Sequence, residues 1–274
     1  MPAHPPPGPS RRPPPGPTGE MPFLDHLEEL RWRILWSLAT LVIATGIGFA
    51  IVHYLGVMEL LIRPVRPFLA GDQLVYFNPA TPFFITLKLG LLVGILLAFP
   101  IVLYQVWAFF SPALEAREKK IIVPSLYFGL ALFTAGVAMA YFWVLPLALR
   151  FLTGFQQAFL EPAIEVGEYL GFVVRLLLAF GLVFELPVVI MILSALGLVT
   201  PRFLKEKRRH AIFLIVVLSS LLTPGDIAST FLMIAPMIVL YEVSIVISRF
   251  IQRRREEPLQ PSAEPPPGTV EAGS

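Results

Sequence analysis

The sequence contains no cysteine, which excludes a disulfide framework, a thiolate metal site and a cysteine nucleophile together. It is short of charge as well. Asp, Glu, Lys and Arg supply 15% of its 274 residues, against about 25% in an ordinary soluble domain. Hydrophobic residues make up 56%, so too little polar sequence remains to cover a single buried core, and this argues against a soluble enzyme. No sign of charge dominates: the formal net charge of +2 gives no basis for nucleic-acid binding. The chain also lacks a Gly-x-x-x-x-Gly-Lys-Ser/Thr phosphate loop, so an ATP-driven pump is unsupported. Neither His-Glu-x-x-His nor Gly-x-Ser-x-Gly occurs, which removes the usual parts of an intramembrane hydrolase. His26 stands beside acids but has no second histidine one turn away, so no metal site is expected, and no cofactor either.

What the chain does contain is unevenly placed. Ten of the first 22 residues are proline, which predicts an extended tail over residues 1–22 that cannot bury enough apolar area to order itself. The polar stretch 251–274 reads as a second tail, leaving a body of residues 23–250. Within it lie six apolar stretches, at about 34–52, 89–110, 124–149, 169–198, 211–222 and 227–247. A helix needs about 20 residues to cross roughly 30 Å of hydrocarbon, and the fifth stretch is well short of that. Placing the N-terminus in the cytoplasm puts sixteen of the 21 Lys and Arg residues on the cytoplasmic side. Only Arg63, Arg66 and Arg150 then lie outside, while Lys88 and Arg175 fall at or inside membrane segments. The expectation is an all-α polytopic membrane protein of six transmembrane helices, with a short fifth helix, ordered outer loops and both termini cytoplasmic.

Several residues stand out against this apolar background. Asp25 and Glu28 suit the first turn of the first helix, and Glu29 is spaced to pair with Arg33 at i,i+4. Leu24, Leu27, Leu30 and Ile34 give that segment an amphipathic face for the membrane interface. Ser111-Pro112 opens a short charged loop that holds Glu118 near the membrane surface. Inside the hydrocarbon, ionisable groups are expensive and become functional candidates: Glu185 in the fourth stretch, with Gln105 and Glu242 as further polar points. Arg175 lies ten residues before Glu185 on a different helix face, so the two are not expected to pair. Pro187 predicts a kink beside Glu185, and Gly90-x-x-x-Gly94 fits close helix packing.

Five segments together resemble the TatC family, the multi-spanning receptor subunit of the twin-arginine protein translocase. They are His26-Leu-Glu-Glu-Leu-Arg31, Tyr104-Gln-Val-Trp-Ala-Phe-Phe-Ser-Pro-Ala-Leu114, Ala140-Tyr-Phe-Trp-Val-Leu-Pro146, Phe180-Gly-Leu-Val-Phe-Glu-Leu-Pro187 and Leu222-Thr-Pro-Gly-Asp226. The resemblance implies a non-enzymatic subunit of the bacterial cytoplasmic membrane that works as part of an oligomeric complex. It would bind twin-arginine signal peptides of folded substrates and recruit single-span TatA- and TatB-type partners, driven by the proton gradient. By the same resemblance Glu29 and Glu118 are the signal-binding carboxylates, with Arg31 and Phe109 lining that surface. Glu185 becomes a polar contact for partners on a concave, lipid-facing side, and Asp226 and Tyr141 take structural roles. Carboxylates suit the task, because guanidinium groups stay charged and present planar donor forks. An ion- or proton-coupled transporter using Glu185 and Arg175 is the other class the residues allow, although no inverted repeat is visible.

Overall fold

A backbone immersed in hydrocarbon must satisfy its own N–H and C=O groups, and a chain this apolar does so by coiling into helices. The computed structural model describes residues 23–69, 73–113, 122–154, 163–222 and 227–256. Helix α1 is Phe23–Tyr54, and a short α2, Val57–Ile62, follows it. Helix α3, Thr81–Phe110, passes into a 3₁₀ turn at Ser111–Ala113. Helix α4, Ile122–Met139, continues through a π-helical segment, Ala140–Val144, into α5, Leu145–Gly154. Then come α6 (Val166–Val183), α7 (Leu186–Ala195), α8 (Pro201–Glu206), α9 (Arg208–Leu222) and α10 (Ile227–Glu256).

Five of these segments are long and apolar enough to cross a membrane: Asp25–Tyr54, Thr81–Phe110, Pro124–Gly154, Val166–Ala195 and Thr230–Gln252. The remaining apolar stretch, the short fifth one, is α9, whose 15 residues reach only about 22 Å. It packs against α10, and residues 223–226 of the connecting turn lie outside the described residues. Two boundaries differ from the sequence reading. The amphipathic segment around Leu27 and Leu30 is continuous with the apolar stretch set at about 34–52, the two forming one 32-residue α1. At the other end α10 runs on to Glu256, past the limit of the body set at residue 250. The tails at 1–22 and 257–274 lie outside the described residues.

Burial runs unevenly through the bundle. In the most apolar 18-residue stretch of the span Val166–Ala195, 67% of residues are buried, against 11% in that of α1. The α6–α7 segment is therefore the axis of the fold, with Val173, Leu176 and Phe180 in its core. By contrast α1 shows Trp36, Val42 and Ile43 to the outside, as a helix with lipid for solvent can. It rests on α3, and glycines set how closely. A Cβ built on Gly94 would fall 2.6 Å from Thr45 Cα and 2.7 Å from Thr45 N, while one on Gly48 would strike the Gly90 carbonyl oxygen. Here the Gly90-x-x-x-Gly94 pair is a backbone-to-backbone contact, which in lipid replaces the missing hydrophobic drive with dispersion.

The loop between α1 and α3 is an ordered cap. Its α2 is clamped by two tyrosines: Tyr141 Oη donates to Leu60 O at 2.7 Å, and Tyr169 Oη to Leu61 O at 2.7 Å. The cap also joins the next loop, where Val75 N donates to Ile164 O at 3.2 Å and Val166 N to Val75 O at 2.9 Å.

The α1–α3 contact yields a paired test. Gly94→Ala drives a methyl into the α1 backbone and is expected to cost about 1–3 kcal/mol. Gly46→Ala, on the same α1 but with nothing within 4 Å, should stay near wild type. Thermal unfolding of the two purified variants in one detergent separates them, and equal midpoints would contradict the packing.

Candidate functional site

At the end of the bundle where α1 begins and α3 ends, five side chains form one polar cluster. The i,i+4 spacing of Glu29 and Arg33 closes as an ion pair, with Arg33 Nε donating to Glu29 Oε1 at 2.8 Å and Nη2 reaching the same oxygen. The third guanidinium nitrogen, Nη1, donates to Gln105 Oε1 on α3 at 3.2 Å. His26 lies flat on Phe109, ring centroids 4.3 Å apart and 11° from parallel, and its Nδ1 is 3.6 Å from Glu29 Oε2. That second oxygen is buried and accepts no hydrogen bond among the described residues. Glu29 as a whole is only 19% exposed. A carboxylate is thus held in one orientation by a guanidinium on its first oxygen, while its second oxygen has only the His26 ring beside it and no hydrogen bond. Chemically this is an acceptor for a further cationic donor, in a place screened less than an open surface.

The cluster holds Glu29 and, through His26, Phe109, together with members that sequence reasoning did not bring to this place. Gln105, grouped from sequence with Glu185, instead holds Arg33. Arg31 is exposed and makes no hydrogen bond or ion pair among the described residues. Glu118 lies outside the described residues, as does Asp226. Tyr141 has the structural contact to Leu60 already described. Arg33 was legible only as a local helix pair, because its reach across 72 residues to Gln105 exists only once α1 is seated on α3. Tyr169 carried no signal at all in the sequence, since one tyrosine in an apolar run reads as core.

Glu185 forms a second station. Pro187 has no N–H to give the preceding turn, and the helix breaks there: α6 stops at Val183 and α7 restarts at Leu186, with Glu185 in the gap. The resemblance placed this carboxyl on a lipid-facing side, but it is buried, at 8% exposure. The reason is packing. A Cβ on Gly129 of α4 would lie 3.1 Å from Glu185 Oε2 and 2.9 Å from Leu103 Cδ2 of α3, so both helices cover the carboxyl. Neither of its oxygens has a hydrogen-bond partner among the described residues. Arg175 is elsewhere: it lines a cleft between α3 and α6 with Lys88, Glu165 and Glu168. The Glu185–Arg175 site on which the transporter alternative depends is therefore not assembled.

Helices built for hydrocarbon, a guanidinium-bound carboxylate at one end and a lone buried carboxyl at a break define a polytopic helical membrane protein. The chain belongs to the TatC family: residues 25–236 match the family described as Sec-independent protein translocase protein (TatC). Its relatives include the Sec-independent protein translocase protein TatC of Aquifex aeolicus, 38% identical over 86% of this chain and 98% of the relative. The TatC of Escherichia coli K12 is 36% identical over 86% of this chain and 92% of its own length. A crystal structure described as the twin arginine translocase receptor TatC superposes with a TM-score of 0.75 at 38% identity, covering 83% of this chain and all of that one. The protein is accordingly a Sec-independent protein translocase component.

The condition of Glu185 has a consequence for stability. Glu185→Leu replaces a desolvated, unpartnered carboxyl by an apolar group of similar size, and should stabilise the fold by about 1–3 kcal/mol. Thermal unfolding in detergent measures it; a destabilised variant would mean the carboxyl has a partner in the membrane-embedded protein.

Proposed function

We propose that this chain is the signal-peptide receptor of a twin-arginine translocase in the bacterial cytoplasmic membrane. Six helices cross the bilayer, α9 as a short span, with both termini in the cytoplasm, where most of the Lys and Arg residues then lie. The observation that carries the reading is Glu29: a carboxylate oriented by Arg33 at the rim of the bundle, its buried Oε2 without a hydrogen bond and covered by His26, which stacks on Phe109 and would have to swing aside for a second guanidinium. Two adjacent arginines on a passenger would be shared between Glu29 and Glu118, with Arg31 and Phe109 lining the surface. The relative described as a twin arginine translocase receptor supports this assignment.

In the same reading, Glu185 and the helix break around it receive single-span TatA- and TatB-type partners, and the proton gradient drives transport. Because the carboxyl is covered by α3 and α4, a partner would meet it only when those helices part, so docking and exposure of Glu185 would be one event. The role is that of a docking scaffold and needs no covalent chemistry.

Binding of a fluorescent signal peptide to the purified full chain tests the receptor role. Glu29→Ala and Glu118→Ala should each lose a charge-assisted hydrogen bond of about 1.5–3 kcal/mol, weakening binding by roughly tenfold or more. A peptide with Lys-Lys in place of Arg-Arg should bind the unaltered chain poorly. Undiminished binding by both variants would overturn the carboxylate site. For partner docking, Glu185→Ala should reduce co-purified TatB-type partner several-fold while signal binding changes little; equal recovery of partner would refute it.

A further inference from the structure

We propose that the cleft between α3 and α6 binds the headgroup of a zwitterionic aminophospholipid, phosphate inward and ammonium outward. The cleft measures about 770 Å³ and opens where both helices begin. Its chemistry comes in two tiers set by helix register. On α3, Lys88 stands seven residues after Thr81; on α6, Arg175 stands seven residues after Glu168. The helix starts lie side by side, since a Cβ on Gly167 would fall 3.1 Å from Thr81 Cγ2; seven residues are two turns, about 10 Å along each axis, so the two cations lie within about a turn of the same depth. Long helical side chains lean toward their helix N-terminus, which here is the mouth of the cleft. The ammonium and guanidinium groups therefore rise from the apolar zone toward the level at which lipid phosphates begin.

Neither cation makes a hydrogen bond or ion pair among the described residues, although both sit within candidate membrane spans. A cation left alone at that depth is expensive, and an incoming phosphate would relieve both at once. Above them is the acidic tier. Glu165 caps α6, its Oε2 accepting from Glu168 N at 3.0 Å, which leaves Oε1 and the Glu168 carboxylate for a donor. Phe84 and Phe172 supply apolar wall for the glycerol and the first acyl carbons.

Charge order selects the lipid class. In a phosphatidylethanolamine the phosphate is nearer the glycerol and the primary ammonium is outermost, the same order as Arg175 and Lys88 below Glu168 and Glu165. An anionic lipid such as phosphatidylglycerol would satisfy the lower tier but bring no cation to the carboxylates. Phosphatidylcholine has a quaternary ammonium with no N–H to donate. With the N-terminus cytoplasmic, as proposed above, the bound lipid belongs to the outer leaflet; binding itself does not depend on that orientation.

Native mass spectrometry of the purified full chain, delipidated and offered each lipid with identical acyl chains, tests the site. Phosphatidylethanolamine adducts should survive activation several-fold better than phosphatidylglycerol or phosphatidylcholine adducts. The double variant Lys88→Gln, Arg175→Gln should lose that advantage. Glu168→Lys should reverse it in favour of phosphatidylglycerol, a gain that a misfolded protein would not show. Equal retention of the three lipids, a preference for phosphatidylglycerol in the unaltered chain, or an undisturbed pattern in the double variant would overturn the proposal. Binding of inorganic phosphate with no phosphatidylethanolamine adduct would overturn it too. No signal peptide enters the measurement, so its failure would leave the receptor reading untouched.

Discussion

The contact on which the rest depends is the close approach of α1 to α3. With lipid on its outside, α1 gains little from hiding apolar side chains, and its position has to come from backbones meeting at Gly48, Gly90 and Gly94. Only when α1 lies in that groove does Arg33 come within reach of Gln105, and His26 within reach of Phe109. The reach of the Glu29–Arg33 pair to α3 thus depends on residues without side chains, Gly48 about five turns further along α1 and Gly90 and Gly94 about three to four turns before Gln105 on α3. A methyl group in the groove would disturb the rim cluster without touching it.

The two carboxylate stations differ because their surroundings differ. Glu29 lies at a helix end, where a guanidinium neighbour on the next turn offsets the cost of partial burial. Glu185 has no such neighbour. It occupies a two-residue break forced by Pro187, enclosed by Leu103 and the bare backbone at Gly129. A group in that condition works against stability and favours any rearrangement that brings it a partner. The rim thus holds a carboxylate with a fixed partner, and the middle of the bundle holds one without.

The cap on the α2 side is tied down by hydrogen bonds from two other helices. Tyr141 and Tyr169, from α4–α5 and α6, both donate to carbonyls of α2, and Val75 bridges to Ile164 and Val166 in the neighbouring loop. Each bond satisfies a backbone group that the short helix cannot satisfy within itself.

Apolar run lengths, the Lys and Arg asymmetry and five short motifs were enough to specify an all-α membrane protein of the TatC family, because the bilayer leaves a backbone few alternatives. Local pairs were legible too: Glu29 with Arg33 and the break at Pro187 follow from helix geometry and the missing proline N–H. Tertiary structure alone decided that Gln105 serves the rim and not Glu185, that Glu185 is covered, and that Lys88, Arg175 and two glutamates face one cleft. These facts join residues tens of positions apart, and their distances depend on how helices rotate and seat against one another. No pattern of hydrophobicity along one chain encodes that rotation; the collision or fit of side chains across an interface does.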